Sequence, residues 1–177
     1  MKNLKQYISE KLVVNKDYDS YQYHPTTWKE LKQIIEERYK ELGPGTKNKP
    51  INFNDIDVSK MTEFGMISKN GTYHGIFENT NFKYIDVSDW DVSNVTDMSA
   101  MFAGCWNLQE LDLSNWDVSN VTIFTYMFST CKSLKTLKLP VNIEDIINDS
   151  DAYMFAMFHN CDKKIIPDWY TNRHNWH

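Results

Sequence analysis

No stretch of this 177-residue chain approaches the ~20 consecutive apolar residues that a membrane-spanning helix needs. Nor is there an excess of basic residues. The net charge of −5 argues against a general nucleic-acid binder, which usually presents a basic face. Glycine is scarce, at six residues, and none of them builds a loop able to cradle a phosphate. The glycine-rich loops of calcium-binding β-roll repeats are missing for the same reason. Cysteine numbers three, an odd count that does not suit a disulfide framework. Residues 1–12 (MKNLKQYISEKL) scatter charge through the stretch where a secretory signal would carry its apolar core.

Catalytic constellations are absent too. His24, His74, His159, His174 and His177 lie far apart in the sequence. Cys105, Cys131 and Cys161 fall at one position of a repeat, so stacking would set them in a line rather than around one metal ion. They read as buried free thiols of a chain kept in a reducing compartment. Asp86, Asp91, Asp112 and Asp117 form acidic rows, and their short side chains suit turn chemistry. The expectation is a chain that is not an enzyme, with no cofactor and no metal site.

What the chain does have is repetition. Ile85–Cys105 and Leu111–Cys131 carry nearly the same residues at an offset of 26. Ile85 maps to Leu111, Trp90 to Trp116, Val95 to Val121, Met101 to Met127 and Cys105 to Cys131. Self-similarity at such a period is the signature of repeats that stack on their neighbours. An earlier copy, Ile51–Phe64, maps onto Ile85–Met98 at an offset of 34. The extra residues fall within 65–75, where Asn70-Gly71 lies between β-prone residues and predicts a projecting hairpin over 66–73. A last copy starts at Leu134–Leu139, is broken by Pro140, and resumes at Met157-Phe158-His-Asn-Cys161.

Within a copy, Leu111 and Leu113 point to one side of a short strand and Asp112 to the other. Leu108, Leu111, Leu113, Val118, Val121, Phe124, Met127 and Phe128 are expected inside. Trp90 and Trp116 should form an aromatic ladder, and 96–102 and 122–128 should make short helical turns. Ahead of the repeats, Thr27-Trp-Lys-Glu30 has capping-box spacing. Trp28, Leu31, Ile34, Ile35, Tyr39 and Leu42 then mark one apolar helix face, ended by Gly43-Pro44-Gly45. Lys32, Glu36, Glu37, Lys40 and Glu41 should be solvated. This helix is expected to lid the first repeat. Ile165–Tyr170 is expected to supply a final strand and cap. The division is 1–46 helical cap, 47–170 repeats and 171–177 tail.

The spacing Leu108-x-x-Leu111-x-Leu113 agrees with the start of a leucine-rich repeat. With Trp-Asp-Val-Ser-Asn-Val-Thr-x-Met-x-x-Met-Phe-x-x-Cys, the chain resembles the BspA-like leucine-rich repeats found in bacterial surface proteins and phage-encoded proteins. The resemblance covers roughly Ile51–Tyr170. It implies an α/β repeat solenoid of about four leucine-rich-repeat-like units, with short parallel strands. It also implies adhesion or protein contact rather than catalysis. Met1–Leu12 places Leu4, Ile8 and Leu12 on one helix face and looks like the capsid-targeting peptides of large tailed phages, in which a protease cuts after apolar-x-Glu. Ile8-Ser9-Glu10 fits that motif.

The expected function is therefore a non-enzymatic protein-interaction module, monomeric, without nucleic-acid or membrane partners. Its location would be the cytoplasm of a bacterial host or the inside of a virion. The outward strand positions Asp86, Ser88, Glu110, Asp112, Ser114, Thr136 and Lys138 are one expected contact surface. Lys69, Asn70 and Tyr73 of the insertion are the other. Alternatives are a phage-borne inhibitor of a host defence enzyme and a virion or adhesion structural component. Packaging would yield a mature form beginning at Lys11, so mass spectrometry of phage particles should find that N-terminus; complete absence from particles removes the packaged version.

Overall fold

Runs such as Ile85-Asp86 and Leu111-Asp112 alternate one apolar and one polar side chain, which suits a strand with one buried face. The computed structural model of the chain describes residues 21–149 and 152–173. The expected Met1–Leu12 helix, the Ile8-Ser9-Glu10 motif, a strand start at Val13-Val14, and His174 and His177 lie outside the described residues. The described strands are β1 (Ile51–Asn52), β2 (Gly65–Ile67), β3 (Tyr73–Gly75), β4 (Ile85–Asp86), β5 (Glu110–Asp112) and β6 (Thr136–Lys138). The helices are α1 (Trp28–Leu42), α2 (Ile143–Asp149) and α3 (Asp168–Arg173), with a 3-10 turn at Lys163–Ile165.

The chain makes four successive passes in parallel register. Ile51 pairs with Ile85, and Glu110–Asp112 pair with Thr136–Lys138. A parallel bridge from Tyr84 to Glu110 joins the two pairs, so the column runs β1-β4-β5-β6. A second column of parallel bridges runs Glu63, Asp97, Ile123, Tyr153 on another side of each pass. Its offsets of 34, 26 and 30 are those that align the copies in the sequence.

Side chains repeat the stacking. Phe77, Phe102, Phe128 and Phe158 form a ladder of parallel rings with centroids 5.3, 5.7 and 5.3 Å apart. Trp90 lies on Trp116 at 6.3 Å, with ring planes 7° apart. All eight expected interior residues of the third copy are buried. Three polar residue types tie each pass to the one before. Trp90 and Trp116 donate their indole N–H to Phe53 O and Val87 O, both at 2.9 Å. Asn94 and Asn120 donate to Ser59 O and Ser93 O. The thiols of Cys105, Cys131 and Cys161 donate to Phe77 O, Phe102 O and Phe128 O. Cys105 and Cys131 are buried, whereas Cys161 on the last pass is half-buried. Burial pushes the thiols of Cys105 and Cys161 up to about 11 and that of Cys131 higher still.

The helical turns expected over 96–102 and 122–128 do not form. Each pass instead makes a strand bridge and then tight turns with left-handed residues. One left-handed position is filled by Ala100, Tyr126 and Ala156, the other by Asn79, Gly104, Thr130 and Asn160. A right-handed helix cannot pass through such residues, although Val-x-x-Met-x-x-Met-Phe has helical spacing. The final strand expected at Ile165–Tyr170 is replaced by the 3-10 turn and α3, because Pro167 has no N–H to donate to a ladder. Residues 171–173, expected in the tail, belong to α3. Tyr170 of that helix packs edge-on against Phe158 and closes this side of the stack.

Helix α1 lies over the first pass. Thr27 caps it, accepting from Glu30 N–H, while the Glu30 carboxylate accepts from Thr26 rather than from Thr27. Leu31, Ile34 and Ile35 are buried, but Leu42 is exposed beside the closing Gly43. Lys32 was expected in solvent; it is half-buried, and its ammonium caps Gly75 O and Glu78 O. Its aliphatic stem covers apolar surface while its head finds carbonyls. Arg38 grips both carboxylate oxygens of Asp55. Tyr23, ahead of α1, adds one more parallel bridge, to Ile56.

Thr130 is the β-branched residue at a left-handed position that Asn, Gly and Asn hold in the other passes, with φ of 61°. Thr130→Gly is expected to raise stability by about 1 kcal/mol. Trp116→Phe should lower it by about 1–3 kcal/mol, because Val87 O loses its buried donor. Urea denaturation of the two variants beside the parent protein checks both.

Candidate interaction cleft on the strand face

Period-two alternation aims Asp86, Glu110, Asp112, Thr136 and Lys138 away from the core. The parallel register then sets them in rows. Glu110 stands beside Thr136, and Asp112 beside Lys138. Asp86, Ser88, Glu110, Asp112, Thr136 and Lys138 line one open cleft of about 290 Å³ with Lys47, Pro50, Tyr84, Ile85 and Leu111. Six of the seven expected strand-face residues thus meet in one place, contributed by three passes. Ser114 does not line the cleft; its hydroxyl and N–H both bond to Asp112 Oδ1.

Two ion pairs bracket the cleft. Lys47 reaches Glu110, and Lys138 reaches Asp112 at 2.7 Å. The Tyr84 hydroxyl donates to Gln109 at 2.9 Å. Lys47 and Tyr84 were missed in the sequence. Lys47 sits in a polar link, and nothing local marks a lysine that meets Glu110, 63 residues on.

The Asp rows have a structural role first. Asp57, Asp86, Asp91, Asp112 and Asp117 each use Oδ1 to accept the N–H and hydroxyl of the serine two residues on. This side-chain turn ends the strand or shapes the corner. Burial works against the charged form of Asp86, but bonds from Ser88 and Asn54 outweigh it and hold its pKa below the usual value. Lys138 and then Ser114 do the same for Asp112. Asp112 raises the pKa of Lys138 in return.

The insertion is a hairpin, with β2 and β3 antiparallel. Its loop spans Ser68–Thr72 and contains Asn70-Gly71, with Gly71 as the left-handed residue. Asn70 is turned inward on the loop, accepting from the Ser68 hydroxyl and from Thr72 N–H. The hairpin base does not project. Gly65 and Gly75 lie flat on the backbone of Ser99 and Ala100, where a Cβ would come within 2.1 Å of a carbonyl oxygen. Tyr73 is half-buried edge-on to Tyr126, which meets Phe155 in the same way. Lys69, Asn70 and Tyr73 therefore sit away from the strand-face cleft, and Tyr73 lines a separate depression with Ala100, Ala103 and Tyr126.

Among the described residues, no group of three His, Cys, Asp or Glu side chains could share a metal ion. Among them, no helix is long and apolar enough to cross a membrane. The family described as "Mycoplasma protein of unknown function, DUF285" matches residues 47–169. This chain belongs to the DUF285 family. The match begins at the cleft residue Lys47 and runs through all four passes, so the DUF285 region contains the whole strand column. No curated protein and no solved structure matches this DUF285 chain.

The lowered carboxyl pKa values give stability that is fully present above the unfolded carboxylate range, about pH 4, and lost as pH falls through the folded values. Thermal melts should therefore be insensitive to pH near neutrality and fall steeply below about pH 4. Ser88→Ala is expected to shrink the acid loss, because it removes the hydroxyl donor to Asp86. An identical pH profile for Ser88→Ala would contradict the assignment.

Proposed function

We propose that this chain is a non-enzymatic, monomeric protein-interaction module built on an α/β repeat solenoid of the leucine-rich-repeat kind, and that it binds through its strand face. DUF285 is related to the BspA-like repeats, whose markers recur in this sequence. The observation that carries the reading is the cleft itself. Outward residues of three different passes share one open surface, and their side chains are not consumed by the core. A stack of short strands with a solvent-facing side is the kind of extended surface that repeat proteins use for contact. Chemistry offers no competitor of equal weight. In the cleft the Ser88 hydroxyl is held with its own N–H in the turn that Asp86 closes, and the lysines are engaged by carboxylates. The face is polar, with paired and unpaired carboxylates, so the partner surface should supply matching cations and hydrogen-bond donors.

The test is capture of partners from an extract of the native host by the immobilised chain. The parent protein should enrich at least one protein by about tenfold over a Tyr84→Ala/Glu110→Arg variant. Equal capture by the two, or turnover of a small substrate without any protein partner, would reject the strand face as a protein-binding surface.

A further inference from the structure

Strand β6 is the last of its column, and its outer edge is open. β5 lies on one side of it; among the described residues no backbone group bonds to the other side. Parallel pairing turns Thr136 N–H and Lys138 C=O toward β5, bonded to Gln109 O and Leu113 N–H. Alternation then turns the N–H and C=O of Leu137 outward. The inward side chain is less covered than its equivalents as well. In the row Ile85, Leu111, Leu137, the first two are 8% and 2% exposed, while Leu137 is only half-buried. The next pass would have covered it, but after Cys161 the chain turns into the 3-10 turn and α3 instead.

Charge says what fits there. The first three passes carry Asn52, Asp86 and Asp112 at the position where the fourth carries Lys138. Exposed Lys132 and Lys135 lie on the same pass, in a chain of net charge −5. Lys138 already has Asp112 on its inner side and solvent on its outer side. A second copy of this edge would bring the same lysines with it, and like charges set side by side are unfavourable. Pro140 and the lysines guard the edge against such self-pairing.

We infer that the open edge of β6 is a docking site for an extended partner segment of the pattern acidic–apolar–acidic–apolar, which adds a parallel strand to the column. Its apolar residue covers Leu137, its second acid stands beside Lys138 opposite Asp112, and its backbone bonds to Leu137 N–H and C=O. Main-chain bonds supply the affinity of strand addition, and alternate side chains supply the choice of partner. The assignment rests on the reading of the chain as a protein-binding module, and it places the partner's entry point at the end of the strand face.

The probe is a blocked, fluorescein-labelled peptide with the sequence of residues 109–115 (Gln-Glu-Leu-Asp-Leu-Ser-Asn), which carries this pattern. Fluorescence anisotropy against the full chain should show saturable binding that weakens with salt. Lys138→Glu should weaken it by about tenfold, and Leu137→Pro should abolish it. Both variants change exposed or half-buried edge positions, and circular dichroism confirms that they fold. N-methylation of the peptide separates strand addition from charge alone. A methyl on the amide of the residue matching Asp112, which would face β6, should abolish binding. A methyl on the residue matching Leu111, which would face away, should leave it intact. No binding, or equal binding by both methylated peptides, overturns the inference. Sedimentation of the chain alone gives the remaining outcome: a dimer broken by Leu137→Pro assigns the edge to a second copy and overturns the acidic partner. If the peptide fails while Tyr84→Ala/Glu110→Arg still loses captured protein, the strand-face reading stands and the edge alone falls.

Discussion

The first three passes of this chain each rely on the pass that follows to supply donors to their backbone carbonyls, most of them buried. The recurring Trp, Asn and Cys donate to Phe53, Val87, Ser59, Ser93, Phe77, Phe102 and Phe128. A buried carbonyl without a donor costs about 1–3 kcal/mol, so a slip in register would leave several such groups unpaired at once. The Phe and Trp ladders add apolar burial along the same direction. The constraint explains why the polar letters of the repeat recur as faithfully as its apolar ones. It also explains why thiols sit deep in the stack. They act as small donors, and burial keeps them protonated.

Ends are where such a stack differs from its middle. At the first pass, α1 supplies Leu31, Ile34 and Ile35 as a lid, and Lys32 and Arg38 bond to carbonyls and a carboxylate that no earlier pass could reach. At the last pass, Tyr170 covers Phe158, but among the described residues no further strand follows β6 and Leu137 stays half-buried. The two ends are thus chemically unlike, and so are the rows between them. The acidic position held by Asp86 and Asp112 gives way to Lys138 on β6, and Glu110 gives way to Thr136. The strand face therefore changes sign of charge at its last pass.

Much of this was legible from residue spacing. The offsets of 34, 26 and 30 reappear as bridges, since a repeat that stacks in register must pair equivalent residues. The interior of the third copy and the Trp ladder followed from period-two alternation and from the repeat. Six strand-face positions meet in one cleft for the same reason. The misses have a common origin. Val-x-x-Met-x-x-Met-Phe has helical spacing, yet residues such as Ala100 and Tyr126 take left-handed conformations because neighbouring passes bond their backbone. Lys32 looked solvated because its carbonyl partners lie 43 and 46 residues away. The hairpin was expected to project, and its base lies against the stack because Gly65 and Gly75 allow contact with Ser99 and Ala100.

The sequence by itself determined the repeat, its register and which side chains turn inward, because these depend on periodicity along one chain. Only the tertiary structure decided which cations meet the cleft, how the insertion lies, and which edge is left uncovered. Lys47 with Glu110, Tyr73 with Tyr126 and the open side of Leu137 are consequences of how distant segments approach each other. Spacing within a segment constrains its own pairing, but it carries no record of a partner that arrives from another pass.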